Sequence, residues 1–513
     1  MTKQARFTDL ILLFFFIFLF AVVRISKGQP IDFDLFHYHY YDGFAFWQHR
    51  FGQDWVPAGI QTYFNPLLDA LNYALYQHFS TRTVACILGG LCGLNAYFLY
   101  KICALIFAES VHRGYKIILA LVIGLTGATA LGQIGNPMND SQSIIPVMLG
   151  LFLLMRQGVF ARSAGAFFLG MGMALKLTNG PYFLAALIAF VLAETQQKNW
   201  VWALRFVCFG LLGFLVFDGY FAYQLYHTFG DPIFPYFNNV FHSPYYGLET
   251  VKDSRFGVQA WYQVFTFPFL LMKKSDLFSE LHCRDWRLGL FFILLLLNVL
   301  KWKSLNRHFA FFTLFLVIAY VLWAVQFGIY RYAIPLQLVS GPLMVGLVYH
   351  FFKNKKWAAG WSFVLTVLAV TTTIHPYFYY QKQFDQHYVT LNAGPLPHHA
   401  LILITPPESA QSFVIPFFPA DDRFIGINFS SQINQRMLFP LIRQSALPLY
   451  ALFNPGDLIP PAPSLYPVEA LTMLQSLGLS PDWGHCQRLN PSVDIFFIKN
   501  ISLCPLVRHD VEK

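Results

Sequence analysis

Charged side chains are scarce in this chain. Only 12% of its 513 residues are Asp, Glu, Lys or Arg, about half the share of an ordinary soluble domain. Acidic residues number 26 and cysteines seven. So little charge excludes a disordered chain and a soluble enzyme. So little cysteine excludes a small secreted scaffold held together by disulfides. No GxxxxGK[S/T] loop or GxGxxG turn accompanies a strand–helix–strand unit, which argues against ATP and dinucleotide chemistry.

Apolar side chains are abundant: 56% of residues are hydrophobic, 18% are aromatic and 56 are Phe. A water-soluble globule has too little interior to hide them, so the chain is read as lying in lipid along most of its length. A bilayer core takes about 20 apolar residues per helix. Apolar runs fall at 8–26, 83–107, 116–134, 141–155, 162–177, 181–194, 201–227, 288–300, 308–327, 331–352 and 357–378. The first follows Lys3 and Arg6 and lacks a small-residue cleavage site, so it is read as a span rather than a signal peptide.

The formal charge of +9 reads as membrane topology, with no nucleic-acid partner implied. With the N-terminus inside, the inside gaps hold Arg113 and Lys116; Arg156 and Arg162; Lys198 and Arg205; Lys301, Lys303 and Arg307; and Lys353, Lys355 and Lys356. The short outside gaps hold almost none, as the positive-inside rule requires. This alternation predicts a mostly α, polytopic transmembrane helical bundle of about eleven spans, residues 1–378, with outer loops at 27–82 and 228–287. Residues 379–513 are expected to form a small α/β domain on the outer face. Strand-like runs lie at Ala400–Thr405, Phe424–Asn428, Pro448–Phe453 and Asp494–Lys499, and a helix-like stretch at 467–478. Cys486 and Cys504 flank the last run and are open to either a disulfide or two buried thiols.

The polar residues of interest all map to that outer side. Asp32 and Asp34 come just after the first span, where a partly buried carboxylate can act as general base toward a sugar hydroxyl. The structural alternative for Asp34 is a cap on a helix starting at Leu35. His37 and His39 lack the i, i+4 spacing of a helical metal pair, and with Tyr38 and its aromatic neighbours they suit the membrane interface or the face of a sugar. Asn65-Pro66 reads as the start of a short helix over 66–79, with Asn65 also a possible acceptor contact. Asp140 either caps the next span or supplies a second acid. Lys176 either snorkels or binds an anion. Arg331 has the fork geometry that suits phosphate.

Three stretches resemble the GT-C class of polytopic glycosyltransferases, which includes protein O-mannosyltransferases and aminoarabinose transferases. They are Asp34-x-x-x-Tyr38 in a long first outer loop, Phe229-Gly-Asp-Pro-Ile-Phe-Pro-Tyr-Phe-Asn238, and Arg331-Tyr332-x-x-Pro335. The resemblance implies a sugar donor carried on a polyprenyl phosphate and transfer on the outer face, here to an envelope acceptor. Compact loops and the absence of eukaryotic sorting signals point to a multi-pass bacterial inner-membrane protein, with the tail in the periplasm. The resemblance places the first-loop acid on Asp34 and the donor-phosphate contact on Arg331. Many members carry adjacent acids where this chain has Asp32-Phe-Asp34, which leaves either carboxylate as the base. No cofactor is implied beyond the lipid-linked sugar, and a divalent metal is left open. The rival readings are a transporter or flippase, against which the nearly charge-free span centres argue, and a non-catalytic assembly factor.

Overall fold

A computed structural model of the chain describes residues 3–193, 199–248, 251, 253–273, 277–300, 306–376, 380–381, 383–406, 410–427, 433–454, 468–493, 498 and 501–509. The molecule is mostly helical, with a small C-terminal sheet region. It divides into two compact units. One comprises residues 1–27, 85–219 and 252–378; the other comprises 28–84, 220–251 and 379–513.

Among the described residues, five helices are long and apolar enough to cross a membrane: Phe7–Ser26, Thr81–Ile106, Trp200–Phe229, Arg307–Gln326 and Tyr330–Phe351. They match the expected runs at 8–26, 83–107, 201–227, 308–327 and 331–352. The other six expected spans form shorter helices, so eleven full spans are not shown. The run at 116–134, for example, is a helix only over Arg113–Leu125, roughly 20 Å at 1.5 Å per residue. A helical turn then resumes at Ala128–Gly132.

That interruption has a polar cause inside the first unit. The backbone N–H groups of Thr129 and Ala130 both donate to the buried Gln337 side-chain oxygen at 3.0 Å. Ala128 N donates to Asp285 at 3.0 Å. Arg287, fully buried, donates to Asp285 at 2.8 Å, to Ile123 O at 2.6 Å and to Thr126 Oγ1 at 2.8 Å. A broken helix is tolerated within an apolar bundle only if its freed backbone groups find partners. Asp285, Arg287 and Gln337 supply them. Small residues bring the surrounding helices close: a Cβ on Gly165 would sit 2.9 Å from Gly150 O.

The second unit is built around a sheet. Its strands are β1 (Leu401–Ile404), β2 (Arg423–Gly426), β3 (Leu449–Phe453), β4 (Leu479–Pro481), β5 (Gln487–Arg488) and β6 (Ser502–Arg508). The order is β2-β1-β3-β6-β4, with β5 also paired to β6. β1 runs parallel to β2 and β3, while β6 is antiparallel to its neighbours. The expected helix appears as Val468–Ser476. The expected strand at Asp494–Lys499 lies almost wholly outside the described residues, and the last described strand is β6.

The first loop is part of this unit's core. Val56 and Tyr63 pack with Phe229, Phe234, Leu401 and Ile425. Trp55 exchanges backbone hydrogen bonds of 2.8 Å with Phe424 and Gly426. Arg50 pairs with Asp54 at 2.6 Å and donates to Asp422 O at 2.7 Å.

Cys486 and Cys504 form a disulfide across 18 residues of sequence. Closing a loop of that size contributes about 3 kcal/mol in the chain-entropy account. Replacing both cysteines by serine should therefore weaken this unit by about that amount, read as a lower midpoint in chemical denaturation followed by tryptophan fluorescence. An unchanged midpoint would remove the cross-link's structural role.

Candidate functional site

In the second unit the segment after Gly28 winds into a wide π-type turn, Leu35–His39, continuous with helix Tyr40–Trp47. Such turns occur often at functional sites. The alternative of an Asp34 cap is not realised: Asp34 makes no side-chain hydrogen bond that caps this turn. Asp32 instead accepts from Leu35 N at 3.1 Å. The reason is geometric, since Asp34 already has helical φ and ψ and cannot turn its carboxylate back on the following amides.

The two acids then differ in kind. Asp32 is fully buried, and its Oδ2 has no hydrogen-bond partner among the described residues. Burial first, and then the charge of Asp34, push the Asp32 carboxyl up to about 6, while the Leu35 amide and His39 pull the other way. Asp34 is only partly buried and accepts from the Tyr38 hydroxyl at 3.3 Å.

Around them lies a second cluster that local spacing did not reveal. His39 Nδ1 is 2.7 Å from Asp69 Oδ1, and both side chains are buried. Asp42 is buried with neither carboxylate oxygen hydrogen-bonded among the described residues. Burial, and then the charge of Asp69, hold its carboxyl well above the usual range. His37 is buried and stacks on Phe33 with centroids 4.9 Å apart. Tyr38 lies 3.9 Å from the His39 ring and edge-on to Phe64. Asn65 accepts from Leu67 N at 2.9 Å and so starts helix Leu67–His78, one residue inside each expected bound. Asp231, in the 229–238 stretch, is also buried and raised to about 6 by desolvation, with Oδ1 accepting from Ile233 N at 2.9 Å. No group of three or more His, Cys, Asp or Glu among the described residues is arranged to hold a metal ion.

In the first unit, three residues singled out from the sequence come together. Asp140 and Lys176 form an ion pair, and Lys176 also donates to Met138 O at 2.9 Å. Arg331 approaches the Met138 sulfur at 3.6 Å. Both cations lie near the Tyr332 ring, Lys176 at 5.4 Å and Arg331 at 5.1 Å from its centroid. Arg331 also faces Glu280 at 3.7 Å.

The turn that carries Met138 and Asp140 is pinned from outside the motif. Arg24, fully buried at the end of the first apolar helix, donates to Gly135 O at 3.1 Å. Asn95 donates to Ser141 O at 2.8 Å. Arg331 owes its place to a close crossing: Gly328 has φ +67, and a Cβ there would lie 2.0 Å from Gly257 Cα. Arg24 is marked in the sequence only as a charge near the end of an apolar run and Asn95 not at all, and the partner of each lies far along the chain.

No protein-family model matches the chain, and no curated protein sequence matches it.

Proposed function

We propose that this chain is an integral membrane glycosyltransferase of GT-C type. It would move a sugar from a polyprenyl-phosphate donor to an envelope acceptor on the outer face. The five membrane-length apolar helices support a multi-pass protein. The second unit carries a disulfide, as suits an oxidising compartment. With the basic loops inside, the first outer loop and the tail would face the periplasm of a bacterial inner membrane.

The observation that carries the reading is the Asp32–Asp34 pair. Two neighbouring carboxylates, one buried with a raised pKa and one open, are a common way to divide acid and base roles. Asp34 is assigned as the base, because it is the one an acceptor can reach. It takes the hydroxyl proton as the acceptor oxygen attacks the anomeric carbon. The bond from that carbon to the phosphate oxygen breaks, and the polyprenyl phosphate leaves with its electron pair. A single displacement of this kind inverts the anomer. Arg331 is assigned to the phosphate, whose growing charge it stabilises. Asp140 and Lys176 are assigned to holding the turn beside Arg331, since each already neutralises the other.

The test is transfer by the purified protein in lipid. Radiolabelled polyprenyl-phosphate sugars would be offered with an envelope acceptor fraction, and label should pass to the acceptor. Absence of transfer across several donors would overturn the reading in favour of transport. The pH profile gives a second check. Below about pH 6 Asp32 is protonated and neutral. Its ionisation above that value places a second negative charge beside Asp34 and raises the basicity of Asp34. Transfer should therefore rise with pH to a plateau, with a midpoint near 6, and the Asp32→Asn variant should lose that rising limb. A profile unchanged in Asp32→Asn would detach Asp32 from the chemistry.

A further inference from the structure

We propose that a tyrosine-lined cleft in the second unit binds one sugar residue of a neutral glycan. The cleft has a volume of ≈ 240 Å³, smaller than the pockets of drug-sized ligands and equal to roughly eight water volumes. That suits a single ring rather than a nucleotide or a lipid chain.

Its lining comes from both ends of the sequence. Helix Leu67–His78 supplies Tyr73, Tyr76 and Gln77, at i, i+3 and i+4, so all three share one face. Tyr40 comes from the preceding helix, and Tyr388 and Thr390 come from the tail. No Asp, Glu, Lys or Arg lines the cleft. Among the lining side chains, His387 is the one that can carry a charge near neutral pH, so a phosphate, a carboxylate or a strongly hydrated cation would find no permanent counter-charge there.

What the cleft offers is ring faces with hydrogen-bonding rims, the amphipathic character that tyrosine brings to a site. The Tyr40 and Tyr76 rings are nearly parallel, with centroids 6.0 Å apart, and Tyr73 stands edge-on to Tyr40 at 5.2 Å. Gln77 is exposed and donates to the Tyr40 hydroxyl at a long 3.4 Å, a bond that a ligand hydroxyl can replace. The Tyr76 hydroxyl is buried and has no hydrogen-bond partner among the described residues. A sugar presents the complement: C–H faces for the rings and hydroxyls for the amide and the phenols. The helix that carries the cleft also carries Asp69 of the carboxylate cluster. Calling this cleft the acceptor subsite rests on the transferase reading; that it binds a sugar does not.

The experiment is therefore binding without any donor. The full chain in lipid nanodiscs would be titrated with neutral tetrasaccharides of glucose, mannose and N-acetylglucosamine, and saturation-transfer NMR would report contact. At least one should bind saturably at millimolar concentration. Tyr73→Ala and Gln77→Ala should weaken it, the former by about tenfold for loss of an aromatic face. Thr390→Trp, at an exposed position on the mouth, should abolish binding by filling the cleft without removing any buried group. If Tyr73→Ala fails to fold, Gln77→Ala and Thr390→Trp decide the matter. Three results would overturn the proposal: no saturable binding of any sugar, binding unchanged in the variants, or binding of tetramethylammonium in place of sugars. Sugar binding without transfer would leave the cleft standing and remove the transferase; transfer with no binding here would do the reverse.

Discussion

Asp34→Asn should lower sugar transfer by roughly two to four orders of magnitude, the contribution typical of a positioned general base. The substitution keeps size and shape and removes only the ability to take a proton. Folding should survive, because Asp34 is partly exposed and caps no helix. An amide oxygen can still accept the Tyr38 hydrogen bond. The loss should fall on kcat, with little change in KM for the donor, since the proton moves only in the reacting complex. Asp34→Glu should recover part of the rate. Full activity in Asp34→Asn, with Asp32→Asn inactive, would move the base to Asp32. Its buried Oδ2 would then have to be uncovered by the acceptor.

The sequence was most legible where a single period dominated. The long Phe-rich and Leu-rich runs at 8–26 and 308–327 became membrane-length helices because no charged residue, Gly or Pro falls between Leu10 and Val23 or between Phe309 and Val325. The strands Leu401–Ile404 and Leu449–Phe453 were readable as short apolar runs between prolines. The strand Ser502–Arg508 was hidden by Pro505, which breaks the pattern of an interior strand. Asp140, Lys176 and Arg331 were singled out one by one by charge in an apolar setting, and they do converge. The His39–Asp69 contact spans thirty positions and has no local signature. The same holds for Arg24 on Gly135, and for the Asp285–Arg287 pair that ends a helix more than a hundred residues away. Such partners follow from tertiary packing, and periodicity carries no information about them. Which of the two aspartates caps the turn is illegible for another reason. Asp32 and Asp34 are both plausible in composition, and only the backbone angles at Asp34 separate them.

Arg331→Lys should cost about a hundredfold in kcat/KM for the lipid-linked donor although the charge is kept. The two cations around Tyr332 are not equivalent, and their carboxylates show why. Lys176 is paired with Asp140, which is buried, so the pair is closed and internally neutral. Removing Lys176 would leave a buried carboxylate unpaired, a loss of about 3–5 kcal/mol in stability. Arg331 faces Glu280 at 3.7 Å, and the Glu280 side chain is 37% exposed. That contact is long and open to water, so a phosphate can displace Glu280 at small cost. The guanidinium then presents two parallel N–H groups to two phosphate oxygens, which an ammonium cannot do. The variants should thus separate. Lys176→Met should lower the melting temperature, with activity lost through unfolding. Arg331→Lys should melt like the wild type and fail on the donor. Glu280→Gln should lower the donor KM, because it releases the arginine from its competitor. An Arg331→Lys protein with unchanged donor kinetics would move phosphate recognition away from this residue, and a raised donor KM in Glu280→Gln would show that the carboxylate positions the guanidinium rather than competing for it.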